Sequence, residues 1–418
     1  MHRAQRLPGY AGTSYGNNLQ SWPILTKSQI LGRERDFAEH SFYPAPYAET
    51  GGTTGEPLRV ARSISTIAFE QALVDHLCAQ MGINARTARV AMLKGDFIDP
   101  SQIEKHQFWS DTGSKKRIYS SLHISPETAE VYRQSLLDFA PDILFCYPSS
   151  VDTLVKYLGQ DSGVRIPLVF SSSEVLHDEA RVRVRQALYC NVIDLYGHAE
   201  RLAAAYSING GGYCFLPSYG HVELIPVGDG LARIIATTLR PGGQIFIRYD
   251  TGDLAQVPSQ DPAILEQIGL GLIPFNGIVG RDSEFVDLPD GRRIFSLNQI
   301  PRGADGANTV QLHYNGSDAV DIYIVPGNQF NVRTCERIQE NFYRKFPESI
   351  TANIWKVATP VREPNGKAPV LLRDPQLPQQ RAAVCQWLQM PKLAGSFEAD
   401  TFSSGNAKIQ QEKSKTAA

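Results

Sequence analysis
The chain has 418 residues and a net charge of −2, with 42% hydrophobic and 20% charged residues. That length exceeds one comfortable core, so two domains, or one domain with a small cap, are expected. The near-neutral balance argues against a nucleic-acid footprint, and no run approaches the roughly 18 apolar residues of a membrane-spanning helix.

Six cysteines, at positions 78, 146, 190, 214, 335 and 385, form no CxxC pair and show neither zinc spacing nor a disulfide framework. Reduced, buried thiols in a cytoplasmic protein are expected. The opening "MHRAQRLPGYAGTS" has no apolar centre, so a secretory signal is not expected.

Residues 1–49 are rich in Gly, Pro, Ser and Tyr and read as loops with a short helix near 28–39. "TGGTTGEP" (50–57) follows, pliable and hydroxyl-rich. Its glycines let successive backbone N–H groups converge on one point, a geometry that holds phosphate, although such a stretch is more often a plain loop. The Walker spacing is absent.

"STIAFEQALVDHLCAQMGI" (65–83) has helical apolar spacing and "ARVAML" (88–93) reads as a buried strand. "PETAEVYRQSLLDFA" (126–140) opens on Pro126 and two acids, a helix start. "DILFCY" (142–147) and "IPLVFS" (166–171) are short apolar runs, each preceded by a helix candidate. A helix over 174–188 and the strand "NVIDLY" (191–196) continue the alternation. The pattern predicts a partly parallel sheet covered by helices.

From His221 the pattern becomes strands divided by Gly-containing turns: "HVELIPV", "LARIIATTL" and "GQIFIRY" predict an antiparallel meander. A hairpin through Pro289-Asp290-Gly291 follows. Then "TVQLHY", "AVDIYIVP", a helix near 332–345 and "ITANIWKVA" predict a compact α+β unit. The expected divisions are 1–280 (large domain), 281–375 (small mobile domain) and 376–418 (C-terminal helix and disordered tail).

Four stretches carry the functional expectation: "TGGTTGEP", "YGHAE" (196–200), "RYDTGD" (248–253) and "PNGKAPVLLR" (364–373). In this order, with "WPILTK" (22–27), "PDILFCYPSS" (141–150), "FSSSEVL" (170–176) and "GRDSEF" (280–285), the chain resembles the adenylate-forming ligases. The branch it is most similar to contains phenylacetate–coenzyme A ligase and the CapK-type proteins. The resemblance covers roughly residues 20–375 and implies an α/β fold: a large N-terminal domain of mixed sheets with helices and an antiparallel meander, and a small C-terminal α+β lid.

The resemblance implies ATP-dependent activation of a carboxylic acid as an acyl-adenylate, with pyrophosphate release. Acyl transfer to a thiol or an amine would follow, coenzyme A being one candidate acceptor. Thr50, Thr53, Thr54 and Gly55 would hold the β- and γ-phosphates of ATP. Ser173 and Glu174 would line adenine, Tyr196 would stack on it, and Gly197 would leave room. Glu200 matches the catalytic, Mg²⁺-linked carboxylate, Asp253 the ribose-binding acid, and Arg281 a ribose or phosphate contact. Lys367 matches the mobile catalytic lysine, whose ammonium meets the developing charge. The partners implied are a small carboxylic acid, ATP and the acceptor, with no nucleic acid and no membrane; a homodimer is left open. His198 reads equally as a packing residue or a wall of the acyl pocket. A nucleotide-binding scaffold without catalysis is the alternative, favoured by Ala199, where the family commonly carries a hydroxyl.

Overall fold
The computed structural model describes residues 1–12, 16, 18–39, 46–49, 58–94, 98–240, 243–281, 286–289, 293–294, 297, 300–301, 303–314, 316, 318–327, 329–362, 368–372 and 386–388. Of residues 49, 100, 281, 287, 293 and 386–388 it describes the backbone alone.

The N-terminal segment holds short 3₁₀ turns and the helix α1 (Lys27–Ile30). Strands β1 (Tyr47–Glu49) and β2 (Arg59–Ala61) then pair antiparallel. Helix α2 (Ile64–Gln80) is capped by Ser63, whose hydroxyl accepts from the Thr66 N–H.

An eight-stranded sheet follows. Its strands are β3 (Val90–Lys94), β4 (Trp109–Thr112), β5 (Lys116–Ser120), β6 (Ile143–Cys146), β7 (Leu168–Ser172), β8 (Asn191–Gly197), β9 (Ala204–Ile208) and β10 (Cys214–Phe215). The spatial order is β10-β9-β8-β7-β6-β3-β5-β4, with β8, β7, β6, β3 and β5 parallel and the outer strands antiparallel. The helices between them are α3 (Pro100–Glu104), α4 (Ala129–Phe139), α5 (Pro148–Leu158) and α6 (Asp178–Leu188).

Strand alternation divides the apolar residues between two faces. Leu144, Cys146, Val169 and Val192 pack with α4, α5 and α6 through Leu136, Leu154 and Val184. Ile143, Leu168, Phe170 and Ile193 pack on α2 through Leu73, Leu77 and Cys78. The near-continuous apolar runs in these strands reflect burial on both faces. Cys78, Cys146, Cys190 and Cys335 are buried free thiols.

The meander is β11 (Gly220–Gly228), β12 (Leu231–Thr238), β13 (Tyr249–Gln256) and β14 (Gly277–Arg281), in that spatial order, with α7 (Pro262–Gly269) before its last strand. Its core is shared with the N-terminal segment: Tyr10, Trp22 and Phe37 pack with Ile234, Phe246 and Tyr249. "GQIFIRY" is no regular strand. The Ile245 N–H donates to the Phe37 carbonyl and the Ile247 N–H to the Tyr10 hydroxyl. Thr238 and Thr237 hydroxyls accept from Phe246 and Arg248. The stretch is alternately apolar, but its backbone partners are the N-terminal loops and side chains rather than a neighbouring ladder.

Beyond residue 281 a separate core forms. Strands β15 (Val286–Asp287) and β16 (Arg293–Ile294) pair as a hairpin. A five-stranded sheet is built from β17 (Ala307–Tyr314), β18 (Ala319–Pro326), β19 (Thr351–Lys356), β20 (Leu371–Leu372) and β21 (Gln386–Leu388) in the order β20-β17-β18-β19-β21. Helix α8 (Val332–Tyr343) lays Cys335, Ile338 and Phe342 on Leu312, Ile322 and Ile354. The C-terminal helix and tail expected over 376–418 lie outside the described residues, apart from β21. Among the described residues no helix is long and apolar enough to cross a membrane.

Candidate active site
The parallel strands present their carboxyl ends to one edge, where ligands of open α/β sheets gather. Strand β8 ends there with Tyr196 and Gly197. Gly197 is exposed, and a Cβ on it would meet only the Ala203 carbonyl at 4.0 Å. The missing side chain therefore leaves open space in front of the strand end.

The chain then makes the tight turn His198–Arg201, closed by the Arg201 N–H on the His198 carbonyl at 3.1 Å. Arg201 has φ +57°, a left-handed conformation that costs a side-chain-bearing residue about 1 kcal/mol or more. Gly220 fixes the turn from outside: a Cβ there would lie 1.6 Å from the Leu202 carbonyl oxygen, so only glycine lets β11 approach.

Glu200 sits inside this turn with its side chain 9% exposed. His198 Nδ1 lies 3.0 Å from its Oε2, and the Tyr249 hydroxyl donates to its Oε1 at 2.9 Å. The Ala203 N–H donates to His198 Nε2 at 3.1 Å. That bond uses the Nε2 lone pair, which leaves Nδ1 as the nitrogen that meets Glu200. Burial alone would push the Glu200 carboxyl up; His198, through its hydrogen bond and its electrostatic attraction, together with hydrogen bonds from the Glu200 backbone and Tyr249, outweighs burial and holds it well below the usual carboxylate range. His198 is thus neither simple packing nor shown as a pocket wall: it is the group that orients Glu200.

The "DTGD" motif is a β-bulge. Ile235 pairs with Asp250 and Arg233 with Leu254, so residues 251–253 slip out of the β12–β13 ladder. Gly252 supplies the φ of +72° that the slip requires. The Thr251 hydroxyl donates to the Ile234 carbonyl at 2.8 Å and accepts the Asp253 N–H at 3.1 Å. The result aims buried Asp253 at β8, where the Tyr196 hydroxyl donates to its Oδ2 at 2.8 Å. Burial raises the Tyr196 phenol well above its ordinary value, and the Asp253 carboxylate raises it further, so it stays a donor. Arg281 stands directly opposite Asp253 in the β13–β14 register.

Ser173 has φ +76° and is exposed just past the end of β7. Glu174 serves the fold directly. Its carboxylate accepts from the Ser149 N–H at 2.9 Å and the Ser149 hydroxyl at 3.1 Å, capping the N-terminus of α5, where Tyr147 offers no side-chain cap. The structure thus brings Tyr196, Gly197, Glu200 and Asp253 together. Thr50, Thr53, Thr54, Gly55 and Lys367 lie outside the described residues, as does the side chain of Arg281.

Two residues that contact the Glu200 turn are not singled out in the sequence. Tyr249 supplies a donor to Glu200; it lies within "RYDTGD" but reads there as a plain strand residue. Arg62, just past β2, donates from Nε and Nη2 to the Ala199 carbonyl at 3.3 and 3.1 Å. That contact ties the end of β2 to the Glu200 turn. Arg201 pairs with Glu70 on α2, locking the same turn to the next helix.

The fold has solved counterparts. A 2-hydroxyisobutyryl-CoA ligase in its postadenylation state, in complex with 2-HIB-AMP, aligns with a TM-score of 0.62 at 16% identity, covering 91% of this chain and 90% of that one. The chain has the fold of the adenylate-forming acyl-CoA ligases. The same ligase with R3-HIB-AMP aligns at 0.61 with 15% identity, covering 91% and 88%. An open conformation of that ligase, with 2-HIB-AMP and CoA, aligns at 0.50 with 14% identity, covering 89% of each chain. No protein-family model matches the sequence, and no curated protein matches it.

Proposed function
We propose that the protein activates a carboxylic acid with ATP, forming an acyl-adenylate and releasing pyrophosphate, and then passes the acyl group to a thiol such as coenzyme A. The observation that carries this reading is the pair of tyrosine–carboxylate contacts joining β8 and its following turn to β13: Tyr196 on Asp253 and Tyr249 on Glu200. They bring two motifs about 50 residues apart onto one strand edge, each presenting a buried acid. A protein that merely held its fold together would have no need of carboxylates there, since burying each costs solvation.

In this reading Asp253 accepts the two ribose hydroxyls, as the two oxygens of an ionised carboxylate can. The open space before Gly197 takes the base, with the Tyr196 ring beside it. Glu200 fits Mg²⁺ by its donor chemistry: a hard, ionised oxygen pair with lone pairs left after His198 and Tyr249, which suits a cation that keeps most of its ligands as water and phosphate oxygen. Bound there, Mg²⁺ would supply charge to the phosphates. Thr50, Thr53, Thr54 and Gly55 supply backbone and hydroxyl donors to the phosphate tail. Lys367 meets the charge developing at the α-phosphate. Positioning the acid beside that phosphate turns a bimolecular attack into a near-unimolecular one.

The finer placement in the phenylacetate–coenzyme A ligase and CapK-like branch rests on the sequence resemblance alone. The test is acid-dependent exchange of labelled pyrophosphate into ATP across a panel of acids. Exchange with at least one acid, reduced about 100-fold or more in Glu200→Gln and in Lys367→Ala, is the expected result. Binding of ATP with no exchange for any acid would favour a nucleotide-binding scaffold instead.

A further inference from the structure
Helix α5 touches both domains. On the large domain, Asp152 bonds Lys156 Nζ at 2.9 Å and Arg183 Nε of α6 at 2.7 Å. Lys156 is 17% exposed, yet its partners are not exhausted by that ion pair: Nζ also donates to the carbonyls of Ala307 at 2.8 Å and Asn308 at 3.1 Å. Those carbonyls open β17, the second strand in order across the small domain's sheet. All three ammonium protons are therefore used, one at home and two across the seam.

Arg362 of the small domain is half-buried. Burial lowers its guanidinium from the ordinary value, and the nearby charge of Glu174 works against that. Glu174 in turn caps the start of α5. The same helix thus meets the small domain at the first residues of β17 and has Arg362 near the residue that caps it.

We propose that Lys156 is a positioning residue, a releasable anchor on α5 that holds the small domain against the large one in the orientation used for the first half-reaction. The inference rests on the function proposed above. The chemistry suits reversible docking. The Asp152–Lys156 pair is set within one helix at i,i+4 spacing and is braced by Arg183, so the ammonium is aimed before the domains meet. The acceptors are backbone carbonyls, which water serves equally well once the domains part. Asp152 keeps Arg183 in either state, so releasing the anchor orphans no buried carboxylate.

The variant Lys156→Met keeps most of the length of the side chain and removes every donor; Lys156→Arg keeps charge and donors. In the full-length protein, small-angle X-ray scattering of Lys156→Met is expected to show a larger radius of gyration than the parent, with Lys156→Arg restoring it. Acid-dependent pyrophosphate exchange is expected to fall about tenfold or more in Lys156→Met with KM for ATP unchanged, since the nucleotide is held by the large domain. A scattering curve identical to the parent overturns the anchor, whatever the activity. A looser shape with exchange within twofold of the parent overturns its positioning role. If the parent shows no exchange with any acid, the function proposed above fails, and scattering alone still decides the anchor. If Lys156→Met is insoluble, Lys156→Gln is measured by the same two readouts.

Discussion

Replacing Tyr196 by Phe removes one oxygen and little else, and the structure fixes what that oxygen does. Its hydroxyl donates to Asp253 Oδ2 at 2.8 Å, inside a pocket where the carboxylate is 7% exposed. A hydrogen bond to a charged acceptor contributes roughly 1.5–3 kcal/mol, and water cannot freely replace a donor at a buried site. Tyr196→Phe is therefore expected to destabilise the large domain by about 2 kcal/mol, a fall of roughly 4–8 °C in the midpoint of that domain's thermal transition. Asp253→Asn should lose part of the same bond, so a double-mutant cycle should show coupling of about 1–2 kcal/mol. Calorimetry on the four proteins measures this. The nucleotide adds a second readout. Asp253→Asn should weaken ATP binding about tenfold by calorimetric titration while leaving 2′,3′-dideoxy-ATP nearly unchanged, because the latter offers no ribose hydroxyls. Additive single and double mutants would refute the Tyr196–Asp253 bond; equal losses for ATP and the dideoxy analogue would refute Asp253 as the ribose acid.

Asp194, buried on β8 two residues before Tyr196, is pushed up to about 6 by burial, against hydrogen bonds from Ser171 at 2.5 Å and from Tyr213 and the charge of Arg181. With an unfolded value near 3.9, the native state holds the extra proton between about pH 4 and 6. The contribution of Asp194 to stability is thus fully present below that window and is lost as pH rises through it, by up to about 3 kcal/mol. Urea midpoints between pH 4 and 7.5 should show this slope in the parent and a flatter one in Asp194→Asn; parallel profiles would sink the argument. Glu174→Gln keeps the shape of the α5 cap but removes its charge from the helix N-terminus. It should cost about 1 kcal/mol, read as a drop of roughly 2–4 °C in the thermal midpoint, and no drop would mean the cap is idle.

What the sequence made legible follows how local each signal is. The runs at 142–147, 166–171 and 191–196 read as strands because burial on both faces of the sheet leaves few polar residues among them. "RYDTGD" was legible through its resemblance to a family motif, and its structural basis is local: the bulge uses Gly252 at positive φ and the Thr251 hydroxyl, neighbours in the chain. "GQIFIRY" misled for the opposite reason: alternation shows which side chains are buried and says nothing of which backbone pairs with them, and here the partners are Phe37 and Tyr10, more than 200 residues away. Glu200 was legible, but its donors were not. Tyr249 lies 49 residues on, and nothing in a lone tyrosine distinguishes one that orients a carboxylate from one that fills a core.

Lys156 is the sharpest case. In "SSVDTLVKYL" it reads as half of an ordinary i,i+4 pair on a surface helix, and that pair exists. The two bonds that carry its proposed role end on backbone carbonyls, which every residue possesses and no sequence marks. Side-chain partners leave a trace in composition and spacing; backbone partners leave none. Contacts between domains that must part and meet again are well served by such acceptors, because solvent can take them over at little cost when the domains separate. The same property that makes a seam reversible also hides it from sequence, so in a chain of this fold the residues governing domain orientation are to be sought among buried cations facing strand ends rather than among motifs.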